Sequence, residues 1–176
     1  MLGVLAGSFI PIFKDWWFAK SKQKEDAYYS SIRLICILEA YGDLCFEVVF
    51  DDEDNHFYNI PGTMPVNTPD PIKFADDIKW KSLMKSLSYD IMSLPDKAER
   101  VNNNIKRMKF YDEGWYSYRT ESYIELGILA LKIAIKLRCE YKIEDTFSSN
   151  KLNIPLGEII KQLEDERRKI EMNNKS

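Results

Sequence analysis

The sequence predicts an all-α protein: an antiparallel bundle of four to five helices with an apolar N-terminal helix and one long proline-rich loop. Three observations carry this. Apolar residues recur at three- and four-residue steps through most of the chain, the rhythm of a helix with one buried face. Chain breakers are scarce, with seven glycines in all, and four of the seven prolines fall between Pro61 and Pro71. A chain of 176 residues is one domain with appendages. A domain of that size buries roughly 70% of its unfolded surface and needs no disulfide or metal to fold.

Residues 1–24 form the expected apolar helix and its basic flank. Residues 1–13 read MLGVLAGSFIPIF, Lys14 and Asp15 interrupt, and Trp16, Trp17, Phe18 and Ala19 resume the apolar run. Leu2, Val4, Leu5, Phe9, Ile10, Ile12, Phe13, Trp16, Trp17 and Phe18 are the expected membrane-anchor residues. From Leu2 to Phe18 the rise is about 25 Å, somewhat short of the roughly 30 Å of a bilayer core. Paired tryptophans suit the interface and Lys14 can snorkel. Lys14, Lys20, Lys22 and Lys24 place the body in the cytoplasm by the positive-inside tendency. The expected location is therefore a single pass in the inner (cytoplasmic) membrane, with a cytoplasmic protein as the alternative. The short run, Pro11 and Asp15 fit instead a core or interfacial helix. A secretory signal is disfavoured by the missing basic segment and cleavage site.

Residues 25–143 are the expected bundle. Ile32, Ile35, Leu38, Tyr41, Cys45 and Val48 form the first stripe, widened by Leu34, Ile37, Leu44 and Val49. FEVVF at residues 46–50 has strand-like propensity, but a continuing helix is simpler. No glycine or proline lies between Asp15 and Tyr41, so this helix can join the N-terminal one directly. Residues 51–75 read as an irregular loop, since they carry DDEDNH and the proline cluster. Asp76 or Asp77 is placed to cap a third helix with Trp80, Leu83, Leu87, Ile91 and Leu94 on its face. Pro95 stops that helix at Leu94 and suits the first turn of a fourth, with Asp96 beside the N-terminal dipole. Ala98, Val101, Ile105 and Met108 are its apolar stripe, and residues 102–104 with Lys106, Arg107 and Lys109 its solvated face. After Gly114, residues 115–141 give the strongest helix. Two overlapping seams through Tyr123, Leu126, Ala130, Ile133 and Leu137 and through Ile124, Ile128, Leu131 and Ile135 imply a central position.

Residues 144–176 are a polar linker and a final helix begun by Pro155, with Leu156, Ile159, Ile160, Leu163 and Ile170 on its apolar side. The dense mixed charge of EDERRKIE suits a solvated terminal helix.

A net charge of -3 argues against a generic nucleic-acid binder. Tyr111, Trp115, Tyr116 and Tyr118 beside Lys106, Arg107, Lys109 and Arg119 are better explained by packing than by base stacking. Cys36, Cys45 and Cys139 lack metal-ligand spacing and read as buried reduced thiols, with Cys36 and Cys45 on opposite faces of one helix. His56 is the single histidine; it follows Asp51, Asp52, Glu53 and Asp54, which lack the spacing and central glycine of a calcium loop. Those five residues, with Ile159 and Leu163, are the candidate partner-binding positions. No nucleotide-binding, nucleophile-elbow or zinc-protease motif occurs, so no catalytic residue, metal or cofactor is expected.

The order of features resembles a group of uncharacterised bacterial and prophage membrane-anchored helical proteins. The resemblance is carried by LAGSFIPIFKDWW at 5–17, SSIRLICILEAYGDLCFEVVFDD at 30–52, FADDIKWKSL at 74–83, SLPDKA at 93–98, and the run 123–143 with its LG and LRCEY. It covers about residues 1–143. It implies one N-terminal transmembrane helix, a cytoplasmic helical domain and no assigned activity, with a prophage or antiphage role as its broadest implication. The short apolar run and the added C-terminal helix depart from that pattern.

The expected function is therefore a membrane-anchored structural or interaction module without catalytic activity. Its partners would be membrane lipid and either a protein or a copy of itself, with no nucleic acid and no small-molecule substrate. The alternative is a soluble helical adaptor whose N-terminal helix packs on its own core or on a partner.

Overall fold

The computed structural model describes residues 3–58, 68–108, 115–143 and 161, with side chains in the first segment described for residues 14–50. All regular structure among the described residues is helical. Helix α1 runs unbroken over Gly3–Tyr58. An irregular stretch leads to a 3₁₀ turn at Trp80–Ser82, followed by α2 (Lys85–Met92), α3 (Leu94–Met108) and α4 (Trp115–Tyr141). The all-α class and the helical bundle are as the periodicity implied.

Helix α4 is the centre. Twelve of its residues are buried, spread around most of its circumference. This wide burial follows from the two overlapping seams in its sequence. Its largest interface is with α1. The two run antiparallel: Glu39 meets Arg138, Gly42 faces Leu131, and Gly127 faces Phe46. Leu34, Ile35, Leu38, Tyr41, Cys45, Val48 and Val49 supply the α1 side of the core. Helix α3 packs antiparallel on α4, with Tyr123 donating its hydroxyl to the Asn102 carboxamide and the Asn104 amide donating to the Tyr118 hydroxyl. Pro95 sits in the first turn of α3 as the sequence implied, but α2 ends at Met92, and Leu94, expected as its last residue, opens α3 instead.

Several expectations are corrected. The loop expected from Asp51 is helical through its first eight residues, because α1 continues to Tyr58. Helix propagation is cooperative, and each aspartate costs only about 0.7 kcal/mol of propensity, too little to stop a helix already held by Val48 and Val49. The third helix does not start at Asp76 or Asp77. Those residues form a turn, and α2 begins at Lys85 with no side-chain cap. Asp77 is instead engaged by Arg33 of α1, so a tertiary partner has taken the carboxylate that would have capped locally. Asn102, expected on a solvated face, is buried and also donates to the Pro69 carbonyl at 2.9 Å. Of the three thiols only Cys45 is buried; Cys36 and Cys139 are exposed, which does confirm the opposite facing of Cys36 and Cys45.

Helix α4 closes with its C-terminal turn in a Schellman-type arrangement. The Ile143 amide donates to the Arg138 carbonyl at 3.0 Å, and Lys142 between them adopts φ 53°. Glycine is the usual residue at that left-handed position.

Candidate functional site

Helix α1 changes character along its length. From Ala27 onward it contributes to the core, but residues 14–25 are exposed without interruption. Trp16, Trp17 and Phe18 keep 53%, 62% and 60% of their surface in solvent. Large rings are ordinarily buried, and here three in succession stand exposed on one helix. Cations lie beside them: the Lys20 ammonium sits 4.9 Å from the Trp16 ring centroid, and Lys14 5.8 Å from that of Phe18. Such cation–π contacts keep the charge at the edge of the aromatic surface.

Where α1 enters the bundle, two other segments are fastened to it. The Lys79 amide donates to the buried Ser30 hydroxyl at 3.0 Å, and Asp77 pairs with Arg33, so the 3₁₀ turn is held against α1. Ile78 is buried beneath that turn, and Phe74 meets Trp80 edge-on at 5.3 Å. The Met84 amide donates to the Tyr141 hydroxyl at 3.0 Å, which ties the start of α2 to the end of α4. The base of the bundle is thus a fixed junction of α1, the 3₁₀ turn and the α2 and α4 termini. Two open grooves flank α1 there. One of about 610 Å³ runs along Ala19, Lys22 and Gln23 against residues 78–82. The other, of about 620 Å³, lies between α1 and residues 82–84 and 140–142.

The remaining candidate residues separate clearly. Val4, Leu5, Phe9, Ile10, Ile12 and Phe13 belong to α1 by backbone, but their side chains lie outside the described residues, as does Leu2. The backbones of Asp51, Asp52, Glu53, Asp54 and His56 form the C-terminal turns of α1, far from the exposed tryptophans, and their side chains also lie outside the described residues. Ile159 and Leu163 lie outside them too. Among the described residues no group of three metal-ligating side chains gathers. No helix among them is long and apolar enough to cross a membrane.

Sequence reasoning missed three polar groups of the interior. Glu39 and Arg138 form a buried pair, with Nη2 2.7 Å and Nε 3.1 Å from the same carboxylate oxygen. Arg119, grouped by sequence with surface cations, is 2% exposed. It therefore cannot serve in a basic nucleic-acid surface. Burial pushes the Cys45 thiol up to about 12, and desolvation likewise raises Tyr41, whose hydroxyl lies beside that thiol. The only advance signal for these groups was their place on otherwise apolar stripes.

Compared with protein-family models, curated proteins and solved structures, the chain matches none.

Proposed function

We propose that the chain is a non-catalytic helical module held on a membrane surface by the N-terminal arm of α1. The observation that carries this is the exposed run Trp16, Trp17 and Phe18 on a helix whose next turns are core. The arm is suited to one leaflet. Its uncharged helical portion, residues 3–13, rises about 16 Å, about half of a roughly 30 Å hydrocarbon layer. Positions 5, 9, 12 and 16 keep an i, i+4, i+7, i+11 rhythm of Leu, Phe, Ile and Trp. Tryptophan belongs at the headgroup level, with lysines just outside it. By the same lysines, the body faces the cytoplasm and the arm enters the inner face of the cytoplasmic membrane.

The three rings expose roughly 120 Å² each, which at about 25 cal/mol per Å² comes to about 9 kcal/mol if all of it left water. Half burial at an interface gives about 4 kcal/mol, or about a thousandfold in partitioning. The test is co-sedimentation of the purified full chain with phosphatidylcholine vesicles, beside a W16S/W17S/F18S variant. The variant should lose at least about a hundredfold in partitioning while its melting temperature is unchanged, because these side chains touch no core. Carbonate should release the bound wild-type chain. A wild-type chain that stays in the supernatant with every vesicle would overturn the tether, and resistance to carbonate would replace one-leaflet docking with a span.

A further inference from the structure

We propose that the base of the bundle carries a lysine collar that selects anionic phospholipid headgroups, so the body as well as the arm reads the membrane. This rests on the tether described above and adds the lipid class.

The two grooves flanking α1 are lined by Lys22, Lys79 and Lys81 on one side and by Lys20, Lys24 and Lys142 on the other. All six are exposed. The carboxylates lining the same grooves are Asp26 and Glu140, with Glu25 next along α1. The chain as a whole is acidic at -3, so this excess of cations is a local property of the base. The acidic run at residues 51–54 lies about 45 Å further along the same helix, by its rise from Lys22. The molecule is therefore polarised along α1, with its positive end next to the exposed tryptophans.

The collar is built by the fold. Lys79 and Lys81 are far from Lys22 in sequence and reach it because Ser30 accepts from the Lys79 amide and Arg33 holds Asp77. Lys142 arrives from α4, whose end is tied to the α2 start by Tyr141 and Met84. Lys142 also occupies a left-handed position, φ 53°, where glycine would be the relaxed choice. Backbone strain held at a cationic side chain points to a use for that side chain. Lys20 joins the collar to the arm, since its ammonium rests over the Trp16 ring. Lysines just above an interfacial tryptophan belt lie within the roughly 10 Å screening length of the headgroup charge. Each is worth about a fivefold gain in affinity for an anionic surface.

The experiment compares binding of the full chain to phosphatidylcholine vesicles with binding to vesicles containing phosphatidylglycerol, at low and high salt. Wild type should bind the anionic vesicles at least a hundredfold more tightly, and the gain should shrink as salt rises. Replacing only the bundle lysines, K79Q/K81Q/K142Q, should remove at least tenfold of that gain and leave neutral binding, which depends on Trp16 and Trp17, unchanged. K142G alone should weaken anionic binding about fivefold while raising the melting temperature, which separates loss of charge from loss of fold. Equal binding to neutral and anionic vesicles would overturn the collar and leave the tether standing. An anionic preference untouched by K79Q/K81Q/K142Q would assign the selectivity to α1 alone and also overturn it. Tighter binding to a short DNA duplex than to the anionic vesicles would replace lipid by nucleic acid.

Discussion

Replacing Gly127 by alanine adds one methyl group where α4 leans on α1, and its effect can be worked out before the experiment. The new Cβ would lie 2.8 Å from both Cε1 and Cζ of Phe46 and 3.2 Å from Cβ of Cys45. All three residues are buried, so the ring has little room to move away. Overpacking of this kind costs about 1–3 kcal/mol. Against it stands the gain of removing glycine from a helix interior, about 1 kcal/mol. Gly127→Ala should therefore destabilise by about 1 kcal/mol. Gly42→Ala gives the contrast. Its Cβ would meet Leu131 Cδ2 and Cγ at 3.0 and 3.1 Å, the movable end of a leucine, so Gly42→Ala should be neutral to slightly stabilising. Urea unfolding at 25 °C reads both. With a slope of about 2 kcal/mol per M, Gly127→Ala should lower the midpoint by about 0.5 M. The sign should reverse when the ring is gone: in a Phe46→Leu background, adding Gly127→Ala should stabilise by about 0.5–1 kcal/mol through helix propensity alone. If Gly127→Ala stabilises the chain with Phe46 in place, the α1–α4 register described above is wrong, and with it the placement of the base.

Two further perturbations test the interior. Arg138→Met strands the buried Glu39 carboxylate and should cost about 3 kcal/mol in urea unfolding, whereas adding Glu39→Leu should recover most of it; equal losses in the single and double variants would refute a functioning pair. Cys45 should resist a thiol reagent at pH 8 until the chain is unfolded, while Cys36 and Cys139 react at once. Its folded pKa, pushed up from 9.0 to about 12, means the fold holds the neutral thiol. The stability this confers is intact below about pH 9 and is lost as pH rises through 12, by about 4 kcal/mol at full ionisation. Cys45→Ala should flatten that alkaline slope, measured by urea midpoints across pH 8–11, and an unchanged slope would contradict the assignment.

The helices that could be read from the sequence are those whose apolar rhythm is strong and whose boundaries are set by local chemistry. Helix α4 shows two seams, and α3 carries Pro95 and Asp96 in its first turn. Where tertiary partners set the boundary, local signals misled. Asp77 is a good cap in isolation but is taken by Arg33, and the start of α2 moves to Lys85. The acidic residues after Asp51 read as a loop, yet a helix anchored by the preceding valines carries through them. Buried Asn102, Arg119 and Glu39 were invisible for a related reason: polarity argues for the surface, and only a specific partner across the core reverses it. The aromatic arm was legible because Trp16, Trp17 and Phe18 are consecutive. The lysine collar was not, because its members come from three parts of the chain.

Under the proposed tether, the continuity of α1 restricts how the molecule would sit on a bilayer. No glycine or proline lies between Asp15 and Tyr41, so from Trp16 onward the helix has no built-in hinge and the aromatic run shares the direction of the core helix; Pro11 is the nearest point at which the arm can bend. If α1 lay flat, the same rigid helix would press its exposed bundle face onto the lipid as well. That face carries Arg33, Asp43 and Glu47 beside Tyr29 and Leu44, a mixture with no net preference for an acyl phase or an anionic surface. If α1 instead stands steeply, with Phe18 at the headgroups, Lys22 and Lys24 rise about 6 and 9 Å above that level. The 3₁₀ turn, fastened higher up α1 at Ser30 and Arg33, and the end of α4 face the Lys20–Lys24 stretch across the two grooves. The steep pose brings the aromatic rings and the base lysines to the interface together and lifts the acidic end of α1 away from it. A rigid connection between arm and core is what converts docking of a few side chains into a fixed orientation of the whole bundle.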